Sequence, residues 1–131
     1  MFQVKVDKSQ ALVVIVLEGS IRLDEMQQFV EQAVAAVREA SEQGPVARCL
    51  ADLRQFRTTS PEAAELLSQG QAAAVKAGLK RVAEVVGSEL STLQLNRVAR
   101  ASGMDRILRR FHTEDEARRW LFEDGDRLDA A

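Results

Sequence analysis

Between Val46 and Pro61 the sequence runs VARCLADLRQFRTTSP, an apolar stretch followed by a short polar loop and a Ser-Pro pair. The apolar stretch, Val46 to Leu53, has the length and bounds of a buried strand. Ser60 has the chemistry of a helix N-cap, and Pro61 suits the first helical position, where no backbone donor is needed. A strand that passes through one loop into a helix is half of a β-α-β unit. Chains built of such units are confined to largely parallel sheets with right-handed crossovers.

The flanking segments repeat the alternation. Phe2 to Val6 alternates apolar and polar residues, Asp7 to Gln10 is a polar turn, and Leu12 to Leu17 is continuously apolar; together they predict a hairpin with a more buried second strand. Asp24, with Gln27 three residues on, reads as a capping box. Met26, Phe29, Val30, Ala33, Val37 and Ala40 then form one helical stripe that Gly44-Pro45 stops. The helix from Pro61 ends at Gly78, with Gly70 as a weak point suited to a kink or hinge. Lys80 to Val86 predicts a strand, and Ser88 the cap of a helix carrying Leu90, Leu93, Val98 and Ala101 up to Gly103. Arg106 to Phe111 predicts a last strand. Thr113 and Glu116 form a capping box before a helix with Ala117, Trp120 and Leu121 inward. The expectation is one α/β domain over residues 1–123, in the order ββαβαβαβα, and a frayed tail over 124–131.

Polar residues inside the strands refine this. Parallel strands covered on both sides are apolar on both faces. Here Arg48 and Asp52 share one face of their strand, Glu84 interrupts the next, and Arg109 sits in the last. The expected architecture is a one-sided β-α superhelix, with about four helices mainly on one face and the other face partly open. Arg48, Glu84 and Arg109 are the candidate open-face residues. Arg48 and Glu84 would face the same side, as an ion pair lining a cleft or as a cross-strand surface pair.

Composition excludes several functions. At 131 residues with a net charge of −2, the chain lacks the basic balance of a general nucleic-acid binder. The longest apolar run, Ala11 to Leu17, is too short to span a bilayer, and no basic leader precedes it. The single cysteine, Cys49, rules out an internal disulfide and fits a reducing, cytoplasmic setting with a buried, inert thiol. The single histidine, His112, has no neighbours at metal-ligand or catalytic spacing. No phosphate loop, dinucleotide fingerprint or nucleophile elbow is present. No enzyme activity, metal or cofactor is expected. Arginines crowd positions 97 to 119, but Asp105, Glu114, Asp115 and Glu116 offset them, as on a solvated helical face.

Thr58, Thr59 and Ser60 remain. Capping accounts for Ser60; a phosphorylation switch is the functional reading, because a helix N-terminus receives phosphate well.

Several stretches together resemble the SpoIIAA-like (STAS, anti-sigma-factor antagonist) superfamily, in its STAS or CRAL-TRIO-like branch. They are Leu50-Ala51-Asp52-Leu53, Gly78 to Ala83, Leu93 to Arg97, Ser102-Gly103, and Phe111 to Ala117 followed by Trp120-Leu121. The resemblance implies a non-enzymatic bacterial domain that binds a partner kinase or anti-sigma factor. It also implies a switch by phosphorylation at the start of the helix after the central strand, where Ser60 or Thr59 lies. The classical stretch there is Asp-Ser-Ser-Gly; this chain has Thr58-Thr59-Ser60-Pro61. The expected docking surface is Asp52, Arg57, Thr58, Thr59 and Ser60, with Arg54 adding charge, for a partner protein or a second copy. The alternative is a carrier of a lipid-like apolar molecule held against the sheet, with Gly70 as hinge and Ala72-Ala73-Ala74 leaving room.

Overall fold

A computed structural model of the chain describes residues 1–87 and 89–123; Ser88, expected to cap the third helix, and the tail expected to fray lie outside them. The alternating residues of β1 (Phe2–Asp7) pair antiparallel with β2 (Leu12–Leu17). A helix, α1 (Leu23–Gln43), crosses to the parallel strand β3 (Ala47–Leu53). Then come α2 (Pro61–Lys76), β4 (Leu79–Val86), α3 (Glu89–Ser102), a 3-10 turn at Met104–Arg106, β5 (Leu108–Phe111) and α4 (Glu114–Phe122). The five strands lie in sequence order, β1-β2-β3-β4-β5, and only the β1–β2 pair is antiparallel.

Three helices cover one face. Phe29, Val37 and Ala40 of α1, Leu67 and Ala74 of α2, and Leu95 and Val98 of α3 pack on Val13, Leu17, Cys49, Ala51, Val82 and Val86. Burying each large aliphatic side chain in this layer contributes roughly 1.5–3 kcal/mol. Among the described residues the opposite face carries α4 alone, with Ala117 and Leu121 set on Leu12, Leu50, Ala83 and Val85. Beyond α4 that face is open: Gln3 and Lys5 of β1 are exposed, and Val14, Val16 and Asp52 are half-buried.

The expected caps hold at two helices. Ser60 Oγ accepts the Ala63 N–H at 3.2 Å with Pro61 next to it, and Thr113 Oγ1 accepts the Glu116 N–H at 3.3 Å. At α1 the expectation fails: the helix begins at Leu23 behind Arg22, no side chain caps it, and Asp24 lies within the first turn. Its carboxylate still favours the positive end of the helix dipole there.

Gly70 is a contact point rather than a hinge. A Cβ added to it would stand 2.7 Å from Val30 Cγ1, so α1 and α2 cross where only glycine fits. Ala74, expected to leave room, is buried in the core.

On α3 the inward stripe is Ser91, Leu95, Val98 and Ala99, and the expected inward residues Leu90 and Leu93 are 67% and 56% exposed. Ala101 is exposed as well. Two apolar stripes compete on this helix, and the one with small residues lies against α2. The last strand begins two residues later than expected, because Met104 to Arg106 close a 3-10 turn.

Candidate functional site

The loop after β3 is tied to its surroundings by backbone and side-chain bonds. Gly19 N–H donates to Gln55 O at 2.8 Å, and Arg57 N–H donates to Gly19 O at 3.0 Å. Thr59 Oγ1 donates to Ile21 O at 2.6 Å. The backbone of Thr59 makes a reciprocal pair with α3: its N–H donates to Gln94 Oε1, and Gln94 Nε2 donates to Thr59 O, both at 2.9 Å. Two separate segments, the loop at Gly19–Ile21 and α3, thus hold residues 54–60 in one conformation at the carboxyl end of the parallel strands. Ligands of open α/β sheets bind at this end.

The expected surface residues take different roles here. Asp52 accepts Arg54 Nε at 2.9 Å and Nη2 at 2.8 Å, and the Arg54 N–H at 3.2 Å. Those bonds from Arg54, the side-chain ones foremost, hold the Asp52 carboxyl below the usual carboxylate range. Arg57 is exposed and makes no ion pair among the described residues. Thr58 and Ser60 are exposed; Thr59 is half-buried and engaged on both sides of its peptide and through its hydroxyl.

Beside this loop lies a groove of about 330 Å³, walled by Arg54, Arg57, Thr58 and Leu90 over Phe56. Met1, Leu23, Leu90 and Leu93, four of the five large apolar side chains exposed among the described residues, sit at this end of the sheet. Leu90, Leu93 and Gln94 are absent from the expected site. A signal for the leucines exists in the sequence: Leu90 and Leu93 are out of phase with Leu95 and Val98, so one pair has to face outward. Nothing local announces the pairing of Gln94 with Thr59.

The three open-face candidates do not form one site. Glu84 is on the face opposite Arg48, and the cause is a register shift. Ala47 pairs with Leu79 and Arg48 with Arg81, so Lys80 is skipped. A one-residue shift exchanges the faces of everything beyond it. Glu84 therefore points under α3, where Arg110 Nε donates to its Oε1 at 2.9 Å and Arg110 Nη1 donates to Asn96 Oδ1. Burial pushes the Glu84 carboxyl up from its ordinary value, with the Arg110 charge opposing. Arg48 and Arg109 are on the α4 face but separated by β4. Arg48 Nε donates to Leu121 O at 2.7 Å, and the Arg109 guanidinium lies 5.6 Å over the Phe111 ring.

Other constellations can be placed directly. Cys49 is buried, and its thiol is pushed up to about 12, first by desolvation and then by Glu84. His112 is exposed. Among the described residues no group of His, Cys, Asp and Glu is arranged to hold a metal, and no helix is long and apolar enough to cross a membrane. The arginine-dense stretch divides among surfaces: Arg109 and Arg110 face opposite ways, and Arg118 pairs with Glu114. Beneath α1 and α2 a core cavity of about 60 Å³ is lined by Val30, Cys49, Gly70, Glu84 and Met104 among others. An apolar cavity of about 150 Å³ takes up one benzene. At that size this cavity does not by itself enclose a lipid-like molecule.

Known structures share the architecture. An uncharacterised protein with a SpoIIAA-like fold from Shewanella loihica superposes with a TM-score of 0.65 at 20% identity, covering 92% of this chain and 93% of that one. The anti-sigma factor antagonist SpoIIAA in its unphosphorylated form gives 0.63 at 20% identity, covering 92% and 96%. An anti-sigma factor antagonist from Mycobacterium paratuberculosis gives 0.55 at 17%, covering 92% and 94%. The sequence matches no curated protein. The SpoIIAA-like family model matches residues 12–122, and the chain belongs to the SpoIIAA-like family.

Proposed function

We propose that this chain is a non-enzymatic regulatory domain that docks a partner protein through the carboxyl-end surface around residues 54–60 and the start of α3. The observation that carries this reading is the exposure of Leu90 and Leu93 beside the groove, on a helix whose other face fills the core. Exposed apolar side chains gathered at one end of a domain mark an interaction surface. Two of the structural relatives are named as anti-sigma factor antagonists, which act on proteins, and this supports a protein as the occupant.

The switch belongs at the exposed hydroxyls. Thr58 lines the groove, and Ser60 heads α2. A phosphate on either adds about −1.5 to −2 charges without disturbing the core, and at Ser60 the helix N-terminus would receive it. Thr59 fits the role less well, because its hydroxyl is spent on Ile21 O.

Native mass spectrometry of the chain isolated from its own host, without detergent, tests both halves. The expected result is a stoichiometric protein partner that is lost from the Leu90→Ala/Leu93→Ala variant and weakened by Thr58→Asp or Ser60→Asp. A chain that emerges bare, or a partner retained by all of these variants, overturns the proposal.

A further inference from the structure

We infer that the groove takes an acidic, apolar-anchored segment of the partner, with carboxylates against Arg57 and Arg97 and an apolar side chain against Leu90 and Leu93. This rests on the docking reading above and specifies the chemistry of what docks.

The charge pattern of the groove leads there. Among the described residues its walls carry two guanidiniums, from Arg54 and Arg57, and no carboxylate. Asp52 answers Arg54 through two side-chain bonds, so that charge is already satisfied. Arg57 has no such partner among the described residues. Leu90, Leu93 and Arg97 follow at positions i, i+3 and i+7, which aligns them in one outward stripe. Arg97 also makes no ion pair among the described residues. Glu89 turns to the neighbouring groove, which it lines with Thr92 and His112. The stripe therefore reads cation, apolar, apolar, cation, from Arg57 at the groove to Arg97.

Covering such a stripe removes water from both guanidiniums. A neutral partner would leave their donors unsatisfied, and a basic one would add repulsion. Carboxylates match the planar fork of arginine and form charge-assisted bonds with it. The leucines supply the anchor that surface ion pairs alone do not. The same sign links to the switch, since a phosphate at Thr58 would compete for Arg57 and repel an acidic segment.

The test is selection of binders from a library of random 12-residue peptides displayed on phage, against the full chain and against Arg57→Glu. The expected peptides carry Asp or Glu beside Leu, Ile or Phe. They should shift the NMR methyl signals of Leu90 and Leu93, and bind Arg57→Glu about tenfold more weakly. Selection on Arg57→Glu should favour Lys and Arg at the matching position. Peptides that shift these methyls without acidic preference overturn the acidic chemistry and leave the docking reading standing. A library that yields nothing at these leucines overturns both. Sedimentation with phosphatidylserine vesicles that depends on Arg57, or self-association that Leu90→Asp abolishes, assigns the surface to a membrane or a second copy and overturns the proposal.

Discussion

Arg48 on β3 and Arg81 on β4 stand opposite each other in register, and both donate to the carbonyl end of α4. Arg48 reaches Leu121 O at 2.7 Å, and Arg81 Nη1 reaches Trp120 O at 2.6 Å and Glu123 O at 2.7 Å. Their guanidiniums also lie over rings of that helix, Arg81 at 4.2 Å from the centroid of Trp120 and Arg48 at 5.0 Å from that of Phe122. Two like charges are neighbours here because the last carbonyls and the negative end of the helix dipole receive both. The helix on the second face of the sheet is held this way.

Replacing Arg81 with Ala should therefore cost about 1–3 kcal/mol, because the substitution removes the charged hydrogen bonds together with the stacking on Trp120. Arg81→Lys should recover part of that, since it restores the charge but not the planar stack. Urea unfolding of the three proteins measures it; equal midpoints would mean that Arg81 contributes nothing to holding α4.

Gly70→Ala should destabilise despite the better helix propensity of alanine. Propensity favours the change by about 1 kcal/mol, whereas crowding of the Val30 methyls costs typically about 1–3 kcal/mol. In a Val30→Ala background the same substitution should become neutral or stabilising. Additive effects in the double-mutant cycle would show that the helices do not touch where Gly70 meets Val30.

Glu84 makes stability depend on pH with a definite sign. Its carboxyl is raised above the ordinary 4.5 by burial, so its contribution is fully present below about that pH and is lost as pH rises through the folded value. Relative to wild type, Glu84→Gln should gain stability as pH increases across that window, because glutamine has no carboxylate to be charged in the core, and the attraction to Arg110 only partly offsets that cost. The pH dependence of chemical unfolding for both proteins decides it. A variant that loses ground as pH rises would mean that attraction to Arg110 outweighs burial.

Cys49 should be inert in the folded chain. With its thiol pushed up to about 12 and its side chain in the core, thiolate is scarce and enclosed near pH 8. A disulfide exchange reagent should react only as fast as the protein opens, and quickly in urea. Fast labelling of the native protein would contradict this burial.

Local chemistry is legible in the sequence wherever a signal sits within a few residues. Ser60-Pro61 and Thr113 with Glu116 announce two helix starts because a cap needs only its own turn. The order of elements follows for the same reason, and β-α alternation leaves few sheets to choose from. The site is less legible. Asp52, Arg57, Thr58 and Ser60 are within reach as the loop after a buried strand. The exposed leucines are hidden by two competing stripes on α3, and the bonds of Thr59 to Gln94 span 35 residues.

The residues alone thus determine one α/β domain in the order ββαβαβαβα, with a polar loop and a capped helix after its central strand. Periodicity and capping are properties of neighbouring residues, so they can be read without a partner segment. Only the tertiary structure decides that Lys80 is skipped, which turns Glu84 into the core and sets Arg48 beside Arg81. It alone decides which face of α3 is left exposed. Strand register and helix rotation depend on how the whole core fills; a shift of one residue reverses the faces of a strand and turns a helix by about 100° without altering any local pattern.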